Sequence, residues 1–561
     1  MQPILSICDN HDAGACVIEN ERIKFAINEE RLNRIKIYTG MPDKSISECL
    51  SRFDTNKRTI LASKNTPHFI FRLFPQLHNS IKSMTKTSYF NYLFNLHIIY
   101  STICDKSVIL KEAESYLSKK LIENRLNQIE NKRRINIIDH HLSHASSAYY
   151  TSDLNKALVI TMDSIGDGVS LTVNIGKCRE IRTIFKQSGI NNICVYYSQI
   201  TELLGFRPLL DEGKITGLAA YGNAKHLEKD MQKLLSFKGN KFNRYNPFIR
   251  RNKNKGLFNK FGKYKKEDVA AALQSNLEKQ VCRFISYWME NIGVFDVVLA
   301  GGIFANVKLN QRIHSLDKIK SIYIFPHMGD GGLAVGAGLA YVKPLPFRLD
   351  NVYLGPEFSE KDIHKELLKK KNHVFYEKID EIEYQVAELL AKGKTIARFN
   401  GRMEYGPRTL GNRSILYQTT DKSVNDWLNK KLERTEFMPF APTTLHKYAD
   451  KCYKGLNGAE YTSKFMNISF DCTDYMKKMS PGVVHIDGTA RPQIIEKKDN
   501  ISYHKIIDEY RKITSIPSIL NTSFNMHEEP IVCIPFEAIS AFRKSRLDYL
   551  AIGNFLVTNK N

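Results

Sequence analysis

The sequence predicts an α/β protein of two domains, the first an internally duplicated nucleotide-binding fold. Three observations predict it. Apolar hairpins with Asp and Gly at their tips occur near residue 12 and again near residue 165. A strand, a glycine turn and a helix follow one another near residue 300. Prolines at 344, 346 and 356 then break the chain before a second region rich in glycine turns and arginine.

Taken in order, residues 4–9, a turn at 10–14, and the runs 15–18 and 23–28 read as a β-meander with an acidic turn. The plan recurs at 157–162, at Asp163-Ser164-Ile165-Gly166-Asp167-Gly168, and at 169–175. In actin-like and sugar-kinase folds, two such hairpins face each other and hold ATP phosphates and metal. Residues 297–302 and 305–310 read as strand, turn and helix. Gly301 and Gly302 there let a purine or ribose lie close to the backbone, with Asn306 beside them. Residues 322–326 lead into His327-Met328-Gly329-Asp330-Gly331-Gly332 and a small-residue helix at 334–340. The expected domains are 1–345 and 350–561.

A chain of 561 residues can bury more than one core. Its formal charge of +23, from 82 Lys+Arg against 59 Asp+Glu, favours phosphorylated small molecules, anionic membrane surfaces or nucleic acid. No compact RNA- or DNA-binding signature is present, so no specific nucleic acid is expected. The ten cysteines form no Cys-x-x-Cys pair, which argues against a zinc ribbon or disulfide scaffold and suits a reducing, cytoplasmic compartment. The first nine residues lack the features of a signal peptide, and no apolar run is long enough to span a bilayer. The aromatic, basic stretch 69–100 reads as a helical insert, with peripheral membrane contact as the alternative.

Two clusters carry chemistry. In Asp139-His140-His141-Leu142-Ser143-His144, His140 and His144 stand four apart, so a helix presents both on one face. Imidazoles at that spacing can clamp one divalent metal, with Asp163 and Asp330 as the carboxylates chosen to complete the set. A structural histidine pair is the alternative. His141 points elsewhere, to a phosphate or to the helix cap. His11, beside Asp12, is a candidate general base, since imidazole titrates near neutrality; a solvent-facing turn histidine is the alternative. The second cluster, residues 401–414, places Arg402, Arg408 and Arg413 among three glycines and a proline. Bent backbone and planar guanidinium forks together suggest an oxyanion pocket.

These motifs, in order, resemble the NodU/CmcH type of O-carbamoyltransferase across nearly the whole chain. The anchors are His140-His141-x-x-His144-Ala145, Glu212-Gly213-Lys214-x-x-Gly217-Leu218-Ala219, Gly406-Pro407-Arg408-x-Leu410-Gly411-Asn412-Arg413-Ser414, Asp487-Gly488-Thr489-Ala490-Arg491 and Asn521-Thr522-Ser523-Phe524-Asn525. The resemblance implies an actin-like first domain similar to the tRNA threonylcarbamoyl transferase subunit. It implies a second domain resembling threonylcarbamoyl-adenylate synthase, the YrdC-like fold. It further implies that carbamoyl phosphate and ATP form a carbamoyl adenylate in the second domain. The first domain then transfers the carbamoyl group to a hydroxyl of a sugar or similar acceptor beside a divalent metal, iron by this resemblance.

In that scheme His11, Arg408 and Arg413 are catalytic, and Arg402, Arg434, Arg491, Asn521 and Ser523 bind carbamoyl phosphate. Lys36, Asp167, Gly168, Lys214, Gly301, Gly302 and Asn306 bind nucleotide. His140, His144, Asp163 and Asp330 bind metal. One departure from the family pattern is Met438, where a second arginine usually stands, which shifts weight onto Arg434. Rival readings are a threonylcarbamoyl transferase acting on tRNA, a non-catalytic nucleotide-binding homologue, and a metal phosphatase. An isologous dimer is the default oligomer.

Overall fold

The computed structural model describes residues 2–9, 11–63, 100–130, 133–244, 260–433, 437 and 439–560. The insert read at 69–100 lies outside them except for Tyr100, as do Arg434 and the basic run 250–255. The architecture is mixed α/β and divides into two compact units. Unit 1 holds residues 1–29 and 37–349; unit 2 holds 30–36 and 350–561. Residues 30–36, expected in the first domain, therefore belong with the second unit. Arg34 explains this grouping, because its guanidinium donates to the carbonyls of Ile531 (2.8 Å) and Pro530 (2.6 Å) and pairs with Glu537. Arg31 donates to Gly406 O at 3.1 Å.

Unit 1 contains the repeat. Its first sheet uses β1 (Ile4–Cys8), β2 (Gly14–Glu19), β3 (Arg22–Asn28), β4 (Arg58–Ala62) and β5 (Arg134–Ile138), ordered β3-β2-β1-β4-β5. The second uses β6 (Lys156–Gly166), β7 (Val169–Lys177), β8 (Glu180–Ser188), β11 (Asp296–Ala300) and β12 (Ser321–Ile324). Its order, read from the far edge, is β8-β7-β6-β11-β12. Between β8 and β11 lies a small hairpin, β9 (Leu235–Lys238) with β10 (Lys241–Arg244). Each five-stranded sheet is thus an antiparallel meander extended by two parallel strands. Of the parallel strands, β4, β11 and β12 are buried along nearly their whole length, as their apolar runs require, whereas the edge strand β5 buries only Ile135 fully.

The repeat fixes where the chemistry sits. Each final parallel strand feeds a helix, His140–Tyr150 after β5 and Leu333–Val342 after β12. Leu333–Val342 is buried on nearly every side, and its small residues admit a close neighbour. A Cβ on Gly336 would lie 1.9 Å from Ser143 O, so the two helices can cross only over a glycine.

Unit 2 is built on an eight-stranded mixed sheet. Its members are β13 (Val374–Lys378), β14 (Ile396–Phe399), β15 (Arg413–Tyr417), β16 (Ala441–Leu445), β19 (Gln493–Ile495), β20 (Ser518–Ser523), β21 (Tyr549–Ile552) and β22 (Phe555–Asn559). Their order is β13-β22-β21-β14-β15-β20-β16-β19, and β17 (Phe470–Asp471) pairs separately with β18 (Thr489–Ala490). Helices Ile382–Ala391 and Ile501–Thr514 supply Val386, Leu390, Ile506 and Ile507 to a core shared with Ile396, Leu416 and Ile519 of the sheet. Among the described residues no helix is long and apolar enough to cross a membrane.

Candidate functional site

In unit 1, His140, His144, Asp163 and Asp330 converge, with their ligand atoms within 4.8 Å of one another. Asp163 Oδ2 lies 3.3 Å from His140 Nε2 and 3.1 Å from His144 Nε2. Asp330 Oδ1 lies 3.7 and 3.3 Å from the same nitrogens. Metal–ligand bonds of about 2.1 Å meeting at tetrahedral or octahedral angles set neighbouring ligand atoms roughly 3.0–3.4 Å apart. Asp330 Oδ1 is in addition a buried acceptor that receives no hydrogen bond. Both observations fit a divalent cation held by two imidazoles and two carboxylates.

Local structure aims each of these groups. Asp139 caps the His140–Tyr150 helix by accepting from Leu142 N at 3.0 Å. Asp167 Oδ2 accepts from His140 N at 2.8 Å, while its Oδ1 accepts from the Ser63 hydroxyl at 3.0 Å. Asp163 divides its carboxylate: Oδ1 accepts from Ser164 N (2.7 Å) and Gly302 N (3.3 Å), which leaves Oδ2 turned to the histidines. Gly301 has φ +110° and its added Cβ would strike the Met162 backbone, so this turn approaches β6 only as glycine.

The electrostatics are those of two acids confined together. Burial works against ionisation of Asp163, yet hydrogen bonds from His140 and His144 hold it well below the usual carboxylate range. Burial, and then the Asp163 charge, push Asp330 well above that range. Burial lowers His140, but the charge of Asp330 and the Asp163 hydrogen bond outweigh it and raise the group. His141 goes the other way, to about 3, through burial and the neighbouring His140 and His144.

His11 lies partly exposed in the first hairpin, with Nδ1 3.4 Å from Asp12 Oδ2. Among the charges acting on Asp330, His11 is a minor one that favours its ionised form. The sequence reading missed Asn28 and His327. Asn28 donates to Asp12 O (2.9 Å) and Gly331 O (3.3 Å), and its Oδ1 meets His327 Nε2 at 2.9 Å. The pair joins the first hairpin to the Asp330 turn. His327 stands three residues before Asp330, a spacing that could have been noticed; Asn28 gave no signal.

Several nucleotide candidates are engaged inside the fold. Asp167 closes the helix start as described, and Gly168 O accepts from Gly189 N. Asn306 caps the Val307–His314 helix and exchanges two hydrogen bonds with Gln274, so its amide is committed to scaffold. Lys214 pairs with Asp211 at 3.1 Å. Lys36 is exposed and belongs to unit 2, whereas the other nucleotide candidates belong to unit 1.

Unit 2 engages two of its candidates within the fold. Arg413 is completely buried, and its guanidinium donates to the carbonyls of Asn400, Asn412, Gly401 and Pro356 while lying 3.7 Å from the Phe399 ring centroid. Burial lowers its pKa to about 10. The group braces the loop, because a bent buried loop has carbonyls that need donors. Asn521 is likewise buried, and its amide donates to Thr409 O, Thr443 Oγ1 and Gln493 Oε1. It thereby joins the strands and turns that carry Arg408, Arg491 and Ser523, all half-buried. Arg402, also half-buried, donates to Leu354 O and Gly355 O. Glu404, not foreseen, accepts from the N–H groups of Leu410, Asn412 and Arg413 through Oε1 and so shapes the arginine turn.

Comparison with known proteins agrees with these two units. Residues 4–339 match the carbamoyltransferase N-terminus model, and residues 387–559 match the carbamoyltransferase C-terminus model. An uncharacterised protein of Methanocaldococcus jannaschii is 32% identical over 571 residues, covering 99% of each chain. Nodulation protein NolNO of Sinorhizobium fredii is 30% identical over 98% of this chain and 79% of its own. The crystal structure of T. kodakarensis HypF covers 61% of this chain and 48% of that one, at 10% identity and a TM-score of 0.36, a likeness too weak to bear on function. The motifs, both halves of the chain and its full-length relatives place this protein in the carbamoyltransferase family.

Proposed function

We propose that the protein is an ATP-dependent O-carbamoyltransferase that uses carbamoyl phosphate and carries the carbamoyl group to a hydroxyl of a sugar or related polyol. The observation that carries this reading is the His140/His144/Asp163/Asp330 tetrad in a duplicated α/β unit of a carbamoyltransferase-family chain. In the first step carbamoyl phosphate, ATP and one water give carbamoyl adenylate, phosphate and pyrophosphate. In the second an alcohol oxygen bonds to the carbamoyl carbon and AMP leaves. The reading treats unit 1 as actin-like and unit 2 as YrdC-like.

The chain's residues divide the work accordingly. Arg408, Arg402 and Arg491 neutralise the phosphate of the donor and its departing oxygens, with Ser523 as a neutral hydrogen-bonding group for the carbamoyl amide. The tetrad would hold a divalent metal, iron by family resemblance, which supplies Lewis-acid polarisation of the carbonyl. Asp163 and Asp330 provide the negative charge that retains it. His11 accepts the proton of the attacking hydroxyl, and the neighbouring Asp12 steadies the imidazolium that results. Lys214 would meet the phosphates of the nucleotide.

The test is incubation with carbamoyl phosphate, ATP, ferrous ion and a panel of sugars. AMP, pyrophosphate and a sugar heavier by one carbamoyl group are expected, with no requirement for tRNA. Phosphate release that needs no ATP, or ATP binding without pyrophosphate, would sink the reading.

A further inference from the structure

A buried hydrogen-bonded chain starts at His141, between the two metal-facing histidines, and its proton positions can be assigned. His141 Nε2 lies 2.9 Å from Val169 O, which can only accept, so Nε2 carries the proton. Nδ1 must therefore accept, and the Thr161 hydroxyl 2.7 Å away donates to it. Thr161 then has no second proton, so the Thr172 hydroxyl, 2.7 Å away, donates to Thr161. Asn174 Nδ2 donates to Thr172 at 2.8 Å and to Val159 O at 3.1 Å, and Asn174 Oδ1 accepts from Thr183 at 2.7 Å. Every link has one consistent direction from exposed Thr183 on β8, across β7 and β6, to the imidazole.

The chain anchors the first turn of a helix whose far end is held separately, by hydrogen bonds of Tyr149, Tyr150 and Thr151. His140 and His144 reach Asp163 and Asp330 only at one rotation of the His140–Tyr150 helix, and His141 stands 60° in ring plane from His140 at a centroid distance of 5.3 Å. Two directional bonds from His141 to β6 and β7 hold that rotation at the turn that carries His140 and His144. We propose that His141 is a positioning residue for the tetrad, and that Thr161 and Thr172 set its tautomer and orientation. The inference rests on the reading of the tetrad as a metal site.

Cobalt(II) is the probe, because its visible d–d bands report ligand geometry separately from affinity. Outer partners of metal ligands typically change affinity by about 10–100-fold. Thr161→Val keeps the shape of the side chain and removes the donor to Nδ1. It is expected to weaken Co²⁺ binding about 10-fold and to shift the bands, with Thr172→Val smaller and Thr183→Val near wild type. His141→Phe is expected to act more strongly; should it fail to fold, Thr161→Val decides. If Thr161→Val melts within a degree or two of wild type yet binds Co²⁺ with unchanged affinity and spectrum, His141 does not position the site. If wild type itself binds no Co²⁺, the metal reading falls, and the inference with it.

Discussion

Replacing Gly166 by alanine tests the site's geometry with one methyl group. A Cβ there would sit 2.1 Å from both Cγ and Cδ2 of the His140 ring. Carbon atoms that touch without bonding stay about 3.4 Å or more apart. The ring must therefore retreat by about 1.3 Å, or the β6 turn must move by as much. The backbone at Gly166 does not have the positive φ that disfavours alanine, so the effect is steric alone. Metal ligation tolerates only about 0.2 Å of displacement. His140 would then leave the ligand set, and affinity for a divalent ion should fall at least 100-fold, while the overpacking costs about 1–3 kcal/mol of stability. Calorimetric titration with ferrous ion or cobalt, alongside thermal melting, measures both. Wild-type affinity in a folded Gly166→Ala protein would refute the assignment of His140 as a ligand.

Other outcomes follow from the same contacts. Asp163→Asn removes the charge that faces both histidines, and metal binding should drop by two or more orders of magnitude in the same titration. Arg413→Ala leaves four loop carbonyls without their donor, at roughly 1 kcal/mol or more each, so it should lower the melting temperature or abolish folding. Arg408→Ala should instead melt normally and raise KM for carbamoyl phosphate more than 10-fold, and a thermal scan beside initial rates separates the two arginines. Glu496 is held down at about 2, first by its hydrogen bond from Lys464, and by Lys498 as well. A depressed carboxylate contributes stability above its unfolded pKa and loses it as pH falls from about 4.5 towards 2. Glu496→Gln should therefore flatten acid unfolding over that window, by about 1 kcal/mol after solvent screening, as read by denaturant midpoints at several pH values.

How much could be read beforehand differs between the two units. In unit 1 the helical spacing of His140 and His144 and the glycine-rich stretches holding Asp163 and Asp330 were enough to name all four residues that converge. Local periodicity places side chains on a face, and glycine marks the Asp330 turn, while Asp163 lies inside β6, three residues before Gly166. In unit 2 the same kind of reading did not foresee that Arg413 and Asn521 are buried and bonded within the fold. A guanidinium beside glycines looks alike whether it faces an anion or the carbonyls of its own loop, and only the folded path of residues 400–413 decides which. Asn28 and Glu404 were invisible for a related reason. Their partners lie across a hairpin or at the far side of a turn, and nothing in the neighbouring residues announces them.

What the sequence determined by itself was therefore the class of fold, the family motifs and the set of histidines and aspartates that converge, because these depend on short-range period and turn chemistry. Tertiary structure alone decided that residues 30–36 join the second unit, that Asp167 and Asn306 brace helix ends, and that Arg413 is scaffold. The physical reason is that a buried polar group takes whichever partner the packed chain brings within about 3 Å, and that partner is set by the whole fold.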